Sequence, residues 1–331
     1  MLTKAEVIAR YLPATLSTRE SACVFAPSNI ALCKYWGKRE VELNLPTNAS
    51  LSVSLAHLGT TTEIRHSDTG EDSVLLNNQA QSLDSDFARK VIAFVDLFRR
   101  AQHLPLIIDT RNNIPTAAGL ASSASGFAAL TLGLNQFFAL ELPLPVLSAF
   151  ARMGSGSASR SVYTGFVRWD MGLQDDGMDS IAKPLEMQWS TLRIGLIKVS
   201  SAAKAVGSRT GMQRTIQSST LYANWPAQAA ADIETLEHAI AAQDFAALGA
   251  CAEQNAMTMH ATMMAAWPPL VYWQPDSLSA MQKVWQLREA GVAVYFTMDA
   301  GPNLKLLFNE ESEALIRAEF PEVEIVSPFI C

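Results

Sequence analysis

The stretch Pro115-Thr-Ala-Ala-Gly-Leu-Ala-Ser-Ser-Ala-Ser125 constrains this chain more than any other. It joins a small-residue turn to the start of an apolar helix. Gly119 admits a positive φ and lets backbone come close to a bound group. Ser122, Ser123 and Ser125 put hydroxyls where the first helical turn leaves its N–H groups unpaired. That end of a helix carries partial positive charge and favours an anion, most often phosphate. The helix is read onward through Phe127, Leu130, Leu134 and Phe138, and a strand from Leu104 to Asp109 precedes it. Neither the Gly-Lys-Ser/Thr end of a Walker loop nor a Gly-x-Gly-x-x-Gly spacing is present. Taken alone, the same residues also describe an ordinary Ser-capped helix.

Composition narrows the classes of function. With 331 residues, 49% hydrophobic and 17% charged, the chain predicts a well-buried globular protein of one large or two ordinary domains. No apolar run approaches the roughly 20 residues needed to span a bilayer, and Lys4, Glu6 and Arg10 interrupt any signal-like core. Cys23, Cys33, Cys251 and Cys331 are scattered, which predicts free thiols in a reducing, cytoplasmic setting and not a disulfide frame or zinc site. A net charge of −7 argues against nucleic acid as a partner. It leaves room for a locally basic cleft that binds a small anion.

The remaining pattern predicts an α+β fold in two lobes, residues 1–190 and 191–331. A strand over 22–26 is expected to turn at Pro27-Ser28 into a second extended stretch. Leu51–Leu58 and Thr60–His66 read as a hairpin broken at Gly59. Asp86–His103 is an amphipathic helix with Phe87, Val91, Phe94, Val95 and Phe98 on one face. A short helix spans Pro145–Met153, a second small-residue loop Gly154–Arg160, and a strand Gly165–Met171. Leu192–Val199 is a strand opening the second lobe, followed by helices at 228–242, 244–264 and 277–289. Pro268-Pro269 stops the second of these. Strands at Val292–Met298 and Leu304–Phe308 flank the turn Asp299-Ala-Gly-Pro-Asn303, and a helix closes at Glu311–Glu319.

Four segments bring polar side chains to small-residue or apolar settings: Asn29–Arg39, the serine turn, Gly154–Ser161 and Asp299–Asn303. Each is unremarkable singly, as a strand end with snorkelling lysines or a local turn. Together they supply an anion cradle, cations for a second polyanion and a carboxylate.

The order Pro-x-x-x-Gly-Leu-x-Ser-Ser resembles the phosphate loop of the GHMP kinase superfamily. The runs Ala26-Pro-Ser-Asn-Ile-Ala-Leu-Cys-Lys-Tyr-Trp-Gly-Lys-Arg39, Leu43–Asn48, Asn113–Leu130, Gly154–Ser161, Gly207–Gln213, His260-Ala-Thr262 and Thr297–Asn303 resemble, in order and over nearly the whole chain, the diphosphomevalonate decarboxylase family of that superfamily. The resemblance implies conversion of mevalonate 5-diphosphate and ATP to isopentenyl diphosphate, ADP, phosphate and carbon dioxide. A close relative, phosphomevalonate decarboxylase or mevalonate 3-kinase, is the alternative. It further implies Asp299 as the catalytic aspartate at the substrate's 3-hydroxyl, Arg160 as the carboxylate-binding arginine and Lys34 as the lysine near both. Tyr35, Lys38, Ser155, Ser157, Arg209 and Met212 would hold the substrate. Pro115, Gly119, Leu120, Ser122 and Ser123 would bind ATP, with Ser122 reaching Mg²⁺. The implied fold has a left-handed βαβ unit in the N-terminal lobe, a ferredoxin-like C-terminal lobe and the active site between them, in a homodimer. Two local departures stand out. Cys33 reads as a packed or an oxidation-sensitive thiol, and Arg209 is closer to the bacterial pattern than to a eukaryotic Ser-Ser-Thr run. His260-Ala-Thr262, in a Met-rich helix, reads by itself as core.

Overall fold

The structure, a computed structural model, describes residues 2–100, 102–114, 122–202 and 204–329. The N-terminal lobe runs α1 (Lys4–Ala9), β1 (Ser21–Cys33), β2 (Lys38–Glu40), β3 (Leu45–Pro46), β4 (Ser50–His66), β5 (Ser73–Leu76), β6 (Gln79–Gln81), α2 (Asp86–Arg99), β7 (Leu106–Asn112), α3 (Ser122–Phe137), α4 (Leu144–Gly154), a 3₁₀ helix (Gly156–Val162), β8 (Phe166–Trp169) and β9 (Ala182–Pro184). The C-terminal lobe runs β10 (Leu192–Ile197), α5 (Ser208–Ser218), α6 (Trp225–Ala242), α7 (Phe245–Met264), α8 (Pro275–Glu289), β11 (Val294–Met298), β12 (Leu304–Asn309), α9 (Glu313–Glu319) and β13 (Glu324–Val326).

Strand β4 organises the first lobe. It pairs antiparallel with β1 along one edge, and on the other with β8 through residues 50–53 and β7 through residues 60–66. β5 runs parallel to β7 and reaches it through α2, so the sheet is mixed. The expected hairpin break at Gly59 is corrected: the chain continues in the same direction. Between Pro27↔Gly59 and Asn29↔Ser54 the register slips, with Ala56 at φ 49° absorbing the extra β4 residues. A Cβ on Gly59 would lie 2.1 Å from the carbonyl oxygen of Ala26, so this glycine permits close strand approach and makes no turn. The same irregularity replaces the turn expected at Pro27-Ser28, since β1 runs through it unbroken.

Local chemistry explains the helices. Ser85 caps α2 by accepting the Ala88 N–H at 3.2 Å, with Asp86 in its first turn and Arg99 in its last, matching the helix dipole. Asp244 caps α7 through the Ala247 N–H at 3.0 Å. α7 ends at Met264, ahead of Pro268 as expected. The stretch read as a second small-residue loop is instead the end of α4 and a buried 3₁₀ helix. Helices α1 and α5 and the β5–β6 hairpin were not foreseen.

In the C-terminal lobe the strand order β11-β12-β10-β13 is antiparallel throughout. With α5–α8 after β10 and α9 after β12, this is the βαββαβ connectivity of a ferredoxin-like fold. One hydrophobic cluster crosses between lobes, joining Ile30, Leu32, Trp36, Leu51 and Val53 to Trp225, Leu236, Leu248 and Met259. Among the described residues no helix is long and apolar enough to cross a membrane.

Candidate active site

A cavity of about 820 Å³ opens where the lobes meet, and it gathers residues from every segment singled out in the sequence. Lys34, Tyr35 and Lys38 follow the end of β1; Ser123 stands on the first turn of α3; Ser155, Ser157 and Arg160 come from the α4–3₁₀ junction; Arg209 and Met212 lie on α5; and Asp299 follows β11.

Asp299 sits between two lysines. Lys34 Nζ lies 2.9 Å from its Oδ1 and Lys305 Nζ lies 3.2 Å from its Oδ2. Both lysines are buried, at 2% and 1% exposure, whereas a third of the Asp299 side chain remains open to the cavity. Burial alone would raise the Asp299 carboxyl, but the two ammonium groups outweigh it and hold it well below the usual carboxylate range. Burial pushes the Lys34 ammonium down while Asp299 pulls it back up. Asp299 is therefore an anion at neutral pH, oriented by its lysines and only weakly basic.

Lys34 is fixed from several directions. Its N–H donates to Asn255 Oδ1 at 2.8 Å, its carbonyl accepts from Asn48 Nδ2 at 2.9 Å and its Nζ donates to the Ala31 carbonyl at 2.8 Å. Asn255 in turn donates to Asp232 at 2.6 Å. The neighbouring Cys33 thiol contacts the Ala229 carbonyl at 3.4 Å, and burial pushes it far above the normal thiol range. It is a packed thiol, which removes the oxidation-sensitive reading. His260 Nε2 lies 3.1 Å from the Asp299 carbonyl oxygen. Burial lowers its imidazole to about 4. The His260 segment is core, as its composition suggests, and it also steadies the Asp299 turn.

Arg160 is 2% exposed and faces the cavity without a carboxylate partner among the described residues. Its guanidinium donates to Ser52 Oγ at 3.0 Å, to Ser50 Oγ and to Asn29 Oδ1 at 3.3 Å, and lies 5.8 Å from the Trp169 ring. Burial lowers it to about 10 against the pull of Asp299, so it stays charged at neutral pH. A buried cation held by neutral acceptors favours an incoming anion, and a planar guanidinium suits a carboxylate. Tyr35 lies beside it. Its hydroxyl is buried with no hydrogen-bond partner among the described residues. A Cβ on Gly156 would lie 2.6 Å from the Tyr35 ring, so only glycine leaves that ring its place.

The far part of the cavity is basic. Lys38 donates to Asn44 Oδ1, and Asn44 donates to the carbonyls of Arg152 and Met153, both at 3.0 Å. Burial, then the nearby Arg209 and Lys4, lowers the Lys38 ammonium to about 8. Of the serines expected to bind nucleotide, Ser123 lines the cavity and its Oγ lies 3.4 Å from that of Ser155. Ser122 is exposed and does not line it. Pro115, Gly119 and Leu120 lie outside the described residues. Among the described residues no group of three His, Cys, Asp or Glu could hold a metal ion.

Several contributors were missed in the sequence. Lys305 reads as one polar position in a strand, and nothing signals that it points at Asp299. Asn255 and Asn44 reach the site only through tertiary contacts. Lys4 and Lys90 line the cavity from α1 and α2; the amphipathic pattern of α2 marks its buried face but not its cavity rim.

Two lobes of this topology, closed around a Lys–Asp–Arg centre and a basic pocket, define an enzyme acting on a small polyanion. The diphosphomevalonate decarboxylase-like N-terminal domain matches residues 26–182, and the mevalonate 5-diphosphate decarboxylase C-terminal domain matches residues 195–323. The chain is 38% identical over 310 residues to the diphosphomevalonate decarboxylase of Candida albicans, spanning 88% of this chain and 85% of that one. Among solved structures, the mevalonate diphosphate decarboxylase of Staphylococcus aureus superposes with a TM-score of 0.87 at 36% identity, covering 93% of this chain and 95% of that one. A complex described as MDDEF with MVAPP, AMPPCP and magnesium superposes with a TM-score of 0.86 at 38% identity, covering 93% and 97%. The chain belongs to the diphosphomevalonate decarboxylase family.

Proposed function

We propose that this chain converts mevalonate 5-diphosphate and ATP to isopentenyl diphosphate, ADP, phosphate and carbon dioxide, with Asp299, Lys34 and Arg160 as its catalytic residues. The observation that carries the assignment is the pairing, across one cavity, of a lysine-clamped carboxylate with a buried arginine that has no carboxylate partner among the described residues. Such an arginine suits a substrate whose carboxylate is held beside the phosphoryl-transfer centre.

In this reading Asp299 faces the tertiary 3-hydroxyl and orients or takes its proton as the oxygen attacks the γ-phosphorus. Lys34 balances the charge of Asp299 and of the arriving phosphoryl group. Phosphorylation makes the C3 oxygen a leaving group. The C3–O bond then breaks with its electron pair going to phosphate. The C1–C2 bonding pair becomes the C2=C3 double bond, and carbon dioxide departs. Arg160 holds the carboxylate until that step. A hindered tertiary alcohol and a weakly basic aspartate place most of the rate enhancement in positioning and charge stabilisation. Tyr35, Ser155, Ser157 and Met212 border the substrate, and Lys38 and Arg209 take its phosphates.

The residues fit a nucleotide with magnesium: Ser123 and Ala124 bring the start of α3 into the same cavity, where helix N–H groups suit phosphate. Magnesium, when bound, neutralises charge on the transferring phosphoryl group. Ser122, exposed at the same end of α3, is the hydroxyl that would reach it. The family membership supports a cytoplasmic homodimer with residues 1–190 as the ATP-binding lobe and 191–331 as the second lobe.

The test supplies ATP, Mg²⁺ and, in parallel, mevalonate, its 5-phosphate and its 5-diphosphate, and measures ADP and carbon dioxide. Equal ADP and carbon dioxide from the 5-diphosphate is the expected result. Carbon dioxide from the monophosphate in preference would move the chain to the alternative substrate. ADP without carbon dioxide would make it a 3-kinase.

A further inference from the structure

The cavity has two charged ends with separate neighbourhoods. The charged groups acting on Lys34 are Asp299, Lys305 and Arg160, whereas those acting on Lys38 are Arg209, Lys4 and Glu40. Lys4 stands on α1, ahead of residue 26, where the match to the family's N-terminal domain begins. It nevertheless lines the same cavity as Lys38 and Arg209.

Helix α1 is fastened in place. Thr3 and Glu6 cap it reciprocally, the Glu6 N–H donating to Thr3 Oγ1 at 3.2 Å and the Thr3 N–H to Glu6 Oε2 at 2.7 Å. Val7 and Ile8 are fully buried, in one cluster with Phe94, Val95 and Phe98 of α2. Arg10 reaches Asp176 at 3.3 Å.

The acids nearby offset only part of this charge: burial lowers the Lys4 ammonium, Glu42 and Glu40 pull it back up, and Arg209 pushes it down. Both carboxylate oxygens of Glu40 accept backbone N–H groups, from Glu42 and Leu43, and Glu42 accepts the Lys4 N–H at 3.4 Å. Among the described residues neither Lys4, Lys38 nor Arg209 forms an ion pair with a carboxylate. Three cations held around one end of a cavity repel each other, and a dense anion relieves that cost. A phosphomonoester brings two charges at most; a diphosphate brings about three and reaches farther.

We propose that Lys4 is a ligand of the terminal phosphate of a 5-diphosphate substrate, making the N-terminal helix a specificity element of the active site. The inference rests on the functional reading above and deepens it: the diphosphate end is read by α1, β2 and α5 together, while Asp299 and Arg160 read the other end.

The experiment compares the full chain with its Lys4→Met and Lys4→Arg variants. It measures kcat and KM for the 5-diphosphate and 5-monophosphate, and the diphosphate Kd by calorimetry without nucleotide. Losing one charge-assisted contact predicts a KM and Kd for the diphosphate raised about tenfold in Lys4→Met. Its kcat and its monophosphate KM should stay within about twofold, and Lys4→Arg should recover most of the diphosphate affinity. Unchanged diphosphate binding in Lys4→Met would overturn the proposal, as would equal weakening toward both substrates. If the unaltered chain released no carbon dioxide from the diphosphate, the reaction assigned above would fall instead, and the calorimetric comparison would still decide the role of Lys4.

Discussion

At one end of the cavity charges are paired: Asp299 is clamped by two buried lysines, and Lys34 is pinned by Asn255, Asn48 and Ala31. At the other end, Lys4, Lys38 and Arg209 share a half-open mouth, and no carboxylate among the described residues pairs with them. The difference separates two tasks. A pre-ordered carboxylate spends no free energy on reorganisation during the reaction, whereas cations waiting for a partner convert their mutual repulsion into affinity. Changes at the first end should therefore appear in kcat, and changes at the second in KM.

The largest effect is expected for Asp299→Ala: a loss of about 10³-fold or more in kcat, with ATP affinity little altered. Substantial residual decarboxylation would remove Asp299 from the chemistry. Arg160→Gln should follow, lowering kcat/KM about 10²-fold because a buried charged donor to the carboxylate is lost; near-normal kinetics would refute its role. Lys305→Met sharpens the comparison further. Removing one of the two cations lets the Asp299 carboxyl rise toward its ordinary range, so the acidic limb of the pH–rate profile should move to higher pH, with kcat lowered about tenfold. An unmoved limb would mean that Lys34 alone sets the charge of Asp299.

The smallest effect concerns stability. Burial holds His260 near 4, below its ordinary 6.5, so between those values the unfolded chain takes up a proton that the folded one refuses. Stability contributed by neutral His260 is present above about 6.5 and declines as pH falls toward 4. Urea unfolding should show a loss of about 2 kcal/mol between pH 7 and pH 5 that His260→Gln largely removes. An equal slope in the variant would assign the acid sensitivity elsewhere.

Much of this was legible because turns that approach ligands use small residues, and the residues between them are the reactive ones. The segments around Lys34, Ser123, Arg160 and Asp299 do meet at one cavity. Their meeting was not legible: Lys34 and Asp299 are far apart in sequence, and only the fold of β1 against the β11–β12 turn joins them. Gly59 misled because glycine usually breaks a strand, whereas here it lets two strands come close. Lys305 was hidden by strand alternation, which tells which face a residue takes but not what lies opposite. Lys4 was hidden because a short N-terminal helix has too few residues to show a period.

The hydrophobic cluster that runs from Ile30, Leu32 and Trp36 into Trp225, Leu236 and Met259 carries a consequence for heredity as well as shape. Each lobe has a cluster of its own, around Phe94 and Phe98 in the first and Phe296 and Phe308 in the second, but this one is shared, and Lys34 is steadied by Asn255 from across the divide. A gene cut between the lobes would yield two fragments, each exposing a raw apolar face. Exchange of one half with a relative would succeed only if both sides of that seam changed in step. The seam therefore ties a change in either half to the apolar surface of the other.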